Sequence, residues 1–137
     1  MHLDQKLQYK LQKIQNSCVR FIFNIRKYDH ISEYYIKLNW LETLHKRRLF
    51  HLGCFMFDII ISKTPDYLYD LLISTSEIHN YNTRKRFFID SVHSNYGNKA
   101  FTVFGSKFWN NLPTEIKLLK SKNIFKQKLF THILINN

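Results

Sequence analysis

The sequence predicts a small all-α domain, a single unit over residues 1–137, with about five to seven helices around one central apolar helix and a polar irregular connection near 73–98. Three observations carry this. Only three Gly and two Pro punctuate the chain, which favours long helices over many short strands. Apolar residues recur at steps of three and four rather than two. A hydrophobic content of 45% with 16% aromatics supplies enough apolar surface for one core.

The first helix is expected over residues 4–27, where Leu7, Leu11, Ile14, Cys18, Phe21 and Ile25 advance by alternating fours and threes along one stripe. Beside it run Lys6, Lys10, Lys13, Ser17, Arg20, Asn24 and Lys27, a largely basic stripe displaced by about 100° around the axis. Such a row either follows phosphates or is simply a solvated face. Asp29 is a plausible cap or turn residue before a short helix with Ile31, Tyr34, Tyr35 and Leu38 at helical spacing. Asn39 then precedes a long helix from Trp40 to Ile61, apolar on nearly every face from Leu49 onward. That run holds His51 and Asp58 and is too short to cross a bilayer, so it reads as the central core helix. Its first turns carry His45, Lys46, Arg47 and Arg48, which suit a phosphate contact, nuclear import or an ordinary solvated face.

Thr64, Pro65 and Asp66 combine a capping hydroxyl, a first-position proline and a first-turn acid, which starts a short helix to Leu72. Tyr67, Leu68, Leu71 and Leu72 are expected to pack it on the core helix. In the polar connection, Phe87, Phe88, Ile89 and Val92 make either a short strand or an extended arm pinned to the core. Arg84, Lys85 and Arg86 stand just before it as a candidate contact for a single strand or a phosphate. Phe101, Phe104, Phe108 and Trp109 fall on one side of a helix over 99–110 with Gly97 and Pro113 at its ends, leaving Lys99 and Lys107 outside. Pro113 starts a short helix to Leu119, and Ser121 caps a last one to Ile135. In that helix Ile124, Phe125, Leu129 and Ile133 face inward, and Lys122, Lys126 and Lys128 lie largely elsewhere.

The formal charge of +11 is concentrated at the two ends: residues 1–30 carry six basic and two acidic side chains, and residues 102–137 carry six and one. Residues 31–73 are balanced. A polyanion is the usual partner for such ends, nucleic acid ahead of an anionic membrane surface, although a lysine-rich codon bias that aids solubility gives the same total. Cys18 and Cys54 are far apart on apolar faces, and His51 with Cys54 finds no second pair to complete a metal site. There is no phosphate-binding glycine loop, no nucleophile elbow and no adjacent pair of acids to hold metal ions. The chain is therefore read as lacking an active site, a cofactor and a metal. Leu3, Leu7 and Leu11 are interleaved with charges, so no secretory signal is visible and an intracellular setting, nucleus or cytoplasm, is expected.

Several stretches, in order, resemble the C-terminal region of reverse transcriptases from non-LTR (LINE-type, jockey-like) retrotransposons. Leu11, Gln12, Gln15 and Asn16, followed by Arg20, Phe21 and Ile22, resemble the family's Leu-Gln-x-x-Gln-Asn helix. Leu38, Trp40, Leu41, Arg47 and Arg48 resemble its Leu-x-Trp-Leu…Arg-Arg stretch. Pro65, Tyr67, Leu68 and Leu71 resemble Pro-x-Tyr-Leu-x-x-Leu, followed by Thr83 and Arg84. The most specific match is Tyr96, Gly97, Lys99, Ala100, Phe101, Gly105, Phe108, Trp109, Asn110, Leu112 and Pro113, and Phe125, Lys126 and Leu129 resemble the closing Phe-Lys-x-x-Leu helix.

The family's aromatic-x-Asp-Asp polymerase site has no counterpart here. The resemblance thus implies a thumb-side or post-thumb helical region of an RNA-directed DNA polymerase, without catalysis of its own. Its implied partners are RNA or DNA, bound through the backbone without sequence preference, and the palm and thumb of the parent polymerase. The phosphate contacts expected are Lys6, Lys10, Lys13, Arg20, Lys27, Lys46, Arg47, Arg48, Arg84, Lys85, Arg86, Lys99, Lys107, Lys122 and Lys126, with exposed aromatic rings stacking on bases. Trp40, Phe101, Phe104, Gly105, Phe108, Trp109 and Pro113 are expected to be structural. The competing reading is an interaction module that only packs on the polymerase core, or a relic of such an element.

Overall fold

A computed structural model of the chain describes residues 4–75, 86–89, 91–94 and 96–135. It is all-α. Seven α-helices are formed by the described residues: α1 (Gln5–Ile22), α2 (Ser32–Lys37), α3 (Leu44–Ser62), α4 (Asp66–Asp70), α5 (Phe101–Asn111), α6 (Thr114–Lys117) and α7 (Lys122–Ile135), with a 3-10 turn at Gly97–Lys99 before α5. No helix among the described residues is long and apolar enough to cross a membrane. The chain divides into two compact units, His2–Arg48 and Leu49–Asn137.

In the first unit the helix ends are set by asparagines. Asn24 and Asn39 adopt φ of 51° and 52°, a left-handed conformation that Asn tolerates better than most residues. After α1, Ile25 N–H donates to Arg20 C=O and Asn24 N–H to Phe21 C=O; after α2, Trp40 N–H donates to Tyr35 C=O and Asn39 N–H to Ile36 C=O. Both are Schellman closures. The first stops α1 at Ile22, so the helix expected to reach residue 27 is shorter and Ile25 lies beyond it. The second leaves Trp40 outside any helix, and α3 starts only at Leu44. Thr43 Oγ1 there accepts the Lys46 N–H at 3.2 Å and caps the helix. Asp29 does not cap α2, which begins after Ile31 with no side-chain cap.

The stripe of fours and threes on α1 is present, but most of it faces outward, with Leu11 and Ile25 half-buried. Leu7, Ile14, Phe21 and Ile22 are all exposed, Phe21 by 88%, and Cys18 is exposed with them. Gln15 and Val19 are the buried positions of this helix. The reason is a set of side-chain amides. Gln12 Nε2 donates to Asn16 Oδ1 and to Glu42 C=O, both at 3.0 Å, and Gln12 Oε1 accepts the Leu44 N–H at 3.0 Å. Tyr35 Oη donates to Asn16 Oδ1 at 2.9 Å. One face of α1 thus ties down α2 and the start of α3 through hydrogen bonds alongside the buried Val19, Tyr35 and Leu41, and burial pushes the Tyr35 phenol above its ordinary pKa.

In the second unit α3 and α7 run antiparallel. Phe50 meets Phe130 edge-on at 6.0 Å, Phe57 stacks on Phe125 at 4.3 Å, and Asp58 pairs with Lys122. Close approach depends on Gly53, where an added Cβ would lie 2.6 Å from Leu129 Cδ2 and 3.0 Å from Phe108 Cε1. α5 closes the core: Trp109 is 1% exposed and lies parallel to Phe125 at 6.0 Å, and Phe101 sits edge-on to Phe55 at 5.6 Å. Gly105 lets α5 reach α3, since a Cβ there would stand 3.0 Å from Met56 Sδ. The central helix is less enclosed than its composition implies, with Phe55 and Ile61 exposed.

Smaller departures follow from local geometry. Pro65 is the residue before α4 rather than its first, Thr64 Oγ1 donates back to Ser62 C=O instead of capping, and Tyr67 and Leu71 point to solvent while Leu72 is buried. Lys99 belongs to the 3-10 turn, and Pro113 precedes α6. On α7, Phe125, Leu129 and Ile133 are buried but Ile124 is 48% exposed.

Candidate nucleic-acid interface

On α1 the lysines at 6, 10 and 13 are all exposed and occupy one side of the helix, as their three- and four-residue spacing requires. None of the three forms an ion pair with a described residue. Arg20, expected to continue this row, is committed elsewhere. Its Nη1 donates to the carbonyls of Arg26 and Asp29 and so fastens the turn after α1. That turn presents Lys27 and Tyr28, both exposed, with Lys27 Nζ 5.7 Å from the Tyr28 ring centroid.

The cluster at the start of α3 is half-buried at Lys46, Arg47 and Arg48. Arg47 lies over the Trp40 ring at 5.4 Å, and its Nε is buried without a hydrogen-bond partner. This pair acts as packing at the α3 start, which leaves less of Arg47 for a ligand than its sequence position suggests.

In the second unit, Arg84 and Lys85 lie outside the described residues. Arg86 is exposed, and its carbonyl accepts from Thr75 N–H and Thr75 Oγ1. The segment it opens is pinned, as expected, but by an isolated antiparallel bridge of Ser74 with Phe87 rather than by a strand. Phe87 is buried, and the Asn110 side chain acts as its second partner: Phe87 N–H donates to Asn110 Oδ1 at 2.9 Å and Asn110 Nδ2 donates to Phe87 C=O at 2.8 Å. Lys117, in α6, is only 5% exposed and donates to Asn110 C=O at 2.8 Å. Burial, with Arg86 adding repulsion, holds the Lys117 pKa below its ordinary value.

Lys99 and Lys107 are exposed. Lys99 lies 5.8 Å from the Tyr96 ring centroid, and Lys107 donates to Asn98 Oδ1 at 3.0 Å. Lys122 is bound to Asp58 Oδ2 at 2.7 Å, which removes much of its value as a phosphate contact, although an exposed pair of this kind is weak. Lys126 is exposed and its charge reaches Cys54, whose thiol burial pushes up in pKa.

Three exposed tyrosines stand beside lysines in addition to the expected cations. Tyr9 is 63% exposed with Lys13 Nζ 4.4 Å from its centroid, Tyr28 is 89% exposed and Tyr96 86%. Lys13 follows Tyr9 by four and Lys99 follows Tyr96 by three, while Lys27 immediately precedes Tyr28, a signal legible in the sequence once aromatic and cationic positions are read together. No family model, curated protein or solved structure matches the chain.

Proposed function

We propose that this chain is the C-terminal helical region of a non-LTR retrotransposon reverse transcriptase, that it works inside the cell, in nucleus or cytoplasm, and that it contributes sequence-independent binding of RNA or DNA backbone without catalysis of its own. Six motifs in the family's order motivate the first part. The observation that carries the binding part is the row Lys6, Lys10 and Lys13, exposed on one side of α1 and unneutralised by a described carboxylate. Each unit also has a surplus of positive charge, with ten basic against four acidic side chains in His2–Arg48 and eleven against six in the remainder. Lysines so placed release counterions when they meet phosphates, so affinity falls with salt. In a titration of labelled oligonucleotide at rising salt, the Lys6→Gln, Lys10→Gln, Lys13→Gln triple variant should lose affinity for all sequences alike and lower the log–log salt slope by about 1 per lysine. Absence of any salt-dependent binding by the wild-type chain would sink the proposal.

One observation favours the second reading, an interaction module that packs on the polymerase core. The outward stripe of α1 forms an open groove of about 440 Å³ lined by Ile14, Cys18, Phe21 and Ile22 with Lys13 and Ser17. Exposed apolar surface of this continuity marks an interaction site. Under that reading the chain binds no oligonucleotide, and Phe21→Asp abolishes its association with the palm and thumb.

A further inference from the structure

Two of the tyrosine and lysine pairs of the first unit, Tyr9 with Lys13 and Tyr28 with Lys27, are linked through one face of α1 and the turn that follows it. Tyr9, Lys13 and Arg20 share a side of α1, because their spacings of four and seven return to the same face. Arg20 in turn holds the 26–29 turn through its bonds to the Arg26 and Asp29 carbonyls, and that turn carries Lys27 and Tyr28. Two exposed rings, each with an ammonium group 4.4 or 5.7 Å from its centroid, therefore stand one on α1 and one in the turn that Arg20, on the same face of α1, holds in place. Tyr9 and Arg20 are separated by about 16 Å along the helix axis, a span of a few nucleotides.

A pair of this kind has an ordinary explanation, a helix-surface contact worth a few tenths of a kcal/mol. That accounts for Lys13 over Tyr9 but not for Tyr28, which stands 89% exposed in a turn braced by a dedicated arginine. An exposed ring offers a stacking face that every base can use, and the neighbouring cation meets the adjoining phosphate. Duplex bases are stacked on each other and leave no face free for it.

We propose that Tyr9, Lys13, Lys27 and Tyr28 form a contact for single-stranded RNA or DNA, with the two rings stacking on unpaired bases and the two ammonium groups meeting flanking phosphates. This rests on the nucleic-acid reading above and adds to it a preference for unpaired strands. Lys6 and Lys10 supply charge next to this contact on α1 and do not distinguish strand from duplex.

The test is fluorescence anisotropy of the full 137-residue chain with labelled rU and dT oligomers and a duplex of equal length, at low salt. The wild type should bind at least one unpaired oligomer at least tenfold more tightly than the duplex. A Tyr9→Leu, Tyr28→Leu double variant, with its helical circular dichroism unchanged, should lose at least tenfold on that oligomer and little on the duplex, with the salt slope preserved because no charge is removed. Equal affinity for strand and duplex, or a double variant that binds like the wild type, overturns the single-strand contact and leaves the backbone reading standing. No binding to any of the probes overturns both.

Discussion

Asn110 offers the sharpest perturbation of the fold, because one side chain completes the backbone of a segment 23 residues away. Its amide gives Phe87 both an acceptor, at 2.9 Å, and a donor, at 2.8 Å. In Asn110→Ala both Phe87 groups lose their partner at once. If the segment stayed in place with Phe87 buried, each unsatisfied group would cost about 1–3 kcal/mol; if water entered, each lost bond would cost only about 0.5–1.5 kcal/mol. The second route wins, since Arg86 and Phe88 on either side of Phe87 are exposed to water, although Phe88 N–H to Ile73 C=O at 2.8 Å and the Thr75 N–H and Oγ1 bonds to Arg86 C=O still hold the segment. The expected loss is therefore about 2 kcal/mol in urea denaturation, with faster hydrogen exchange at Phe87 and Phe88 and little change within α3 or α7. Asn110→Asp keeps the acceptor but sets a carboxylate against the Phe87 carbonyl, and should cost at least as much. Should Asn110→Ala lie within about 0.5 kcal/mol of wild type, with Phe87 exchange unchanged, the clamp would be a geometric coincidence.

Two further perturbations separate packing from binding. Trp109→Ala removes the largest fully buried side chain and should cost about 3–5 kcal/mol by thermal or chemical denaturation, whereas Trp109→Phe should recover much of it because the indole Nε1 has no hydrogen-bond partner to lose; a Trp109→Ala chain of wild-type stability that fails to bind nucleic acid would make the residue a contact instead. Lys117 has a lowered folded pKa, so between that value and its ordinary 10.5 the unfolded chain holds more protons and stability rises with pH. Lys117→Met should remove this rise, so the wild type gains on the variant as pH climbs toward 10.5 in parallel denaturation curves, and an unchanged difference across that range would show the ammonium to be well solvated.

The helices were legible wherever apolar spacing ran for several turns, and their faces and ends were less so. On α1 the periodicity finds the helix but not its orientation, because the inward side carries Gln12, Gln15 and Asn16 beside Val19, and hydropathy does not foresee that amides bonded to Glu42, Leu44 and Tyr35 turn inward. The stops at Asn24 and Asn39 were readable in principle, since Asn is the common substitute where a left-handed cap lacks Gly. The third such stop, Lys63 at φ 52° with its N–H on Ile59 C=O, has no sequence signal because lysine carries no preference for that conformation. The clamp of Asn110 on Phe87 was invisible for a different reason: it is a contact between segments distant in sequence.

The candidate interface divides along the same line. Lys6, Lys10 and Lys13 follow from helical spacing alone, and so do Tyr9 with Lys13 and Tyr96 with Lys99. Arg20, Lys117 and Lys122 look equivalent in the sequence, yet each is absorbed by an acceptor elsewhere in the fold, two by backbone carbonyls and one by Asp58. A carbonyl acceptor leaves the positive charge uncompensated while fixing where it sits. Arg20 and Lys117 therefore add to the field felt by an approaching polyanion but offer it few free donors, so their replacement should act chiefly on stability and on the placement of neighbours. For Arg20 that neighbour is the turn bearing Lys27 and Tyr28, so an arginine that helical spacing offers as a phosphate contact matters more as the brace that holds one.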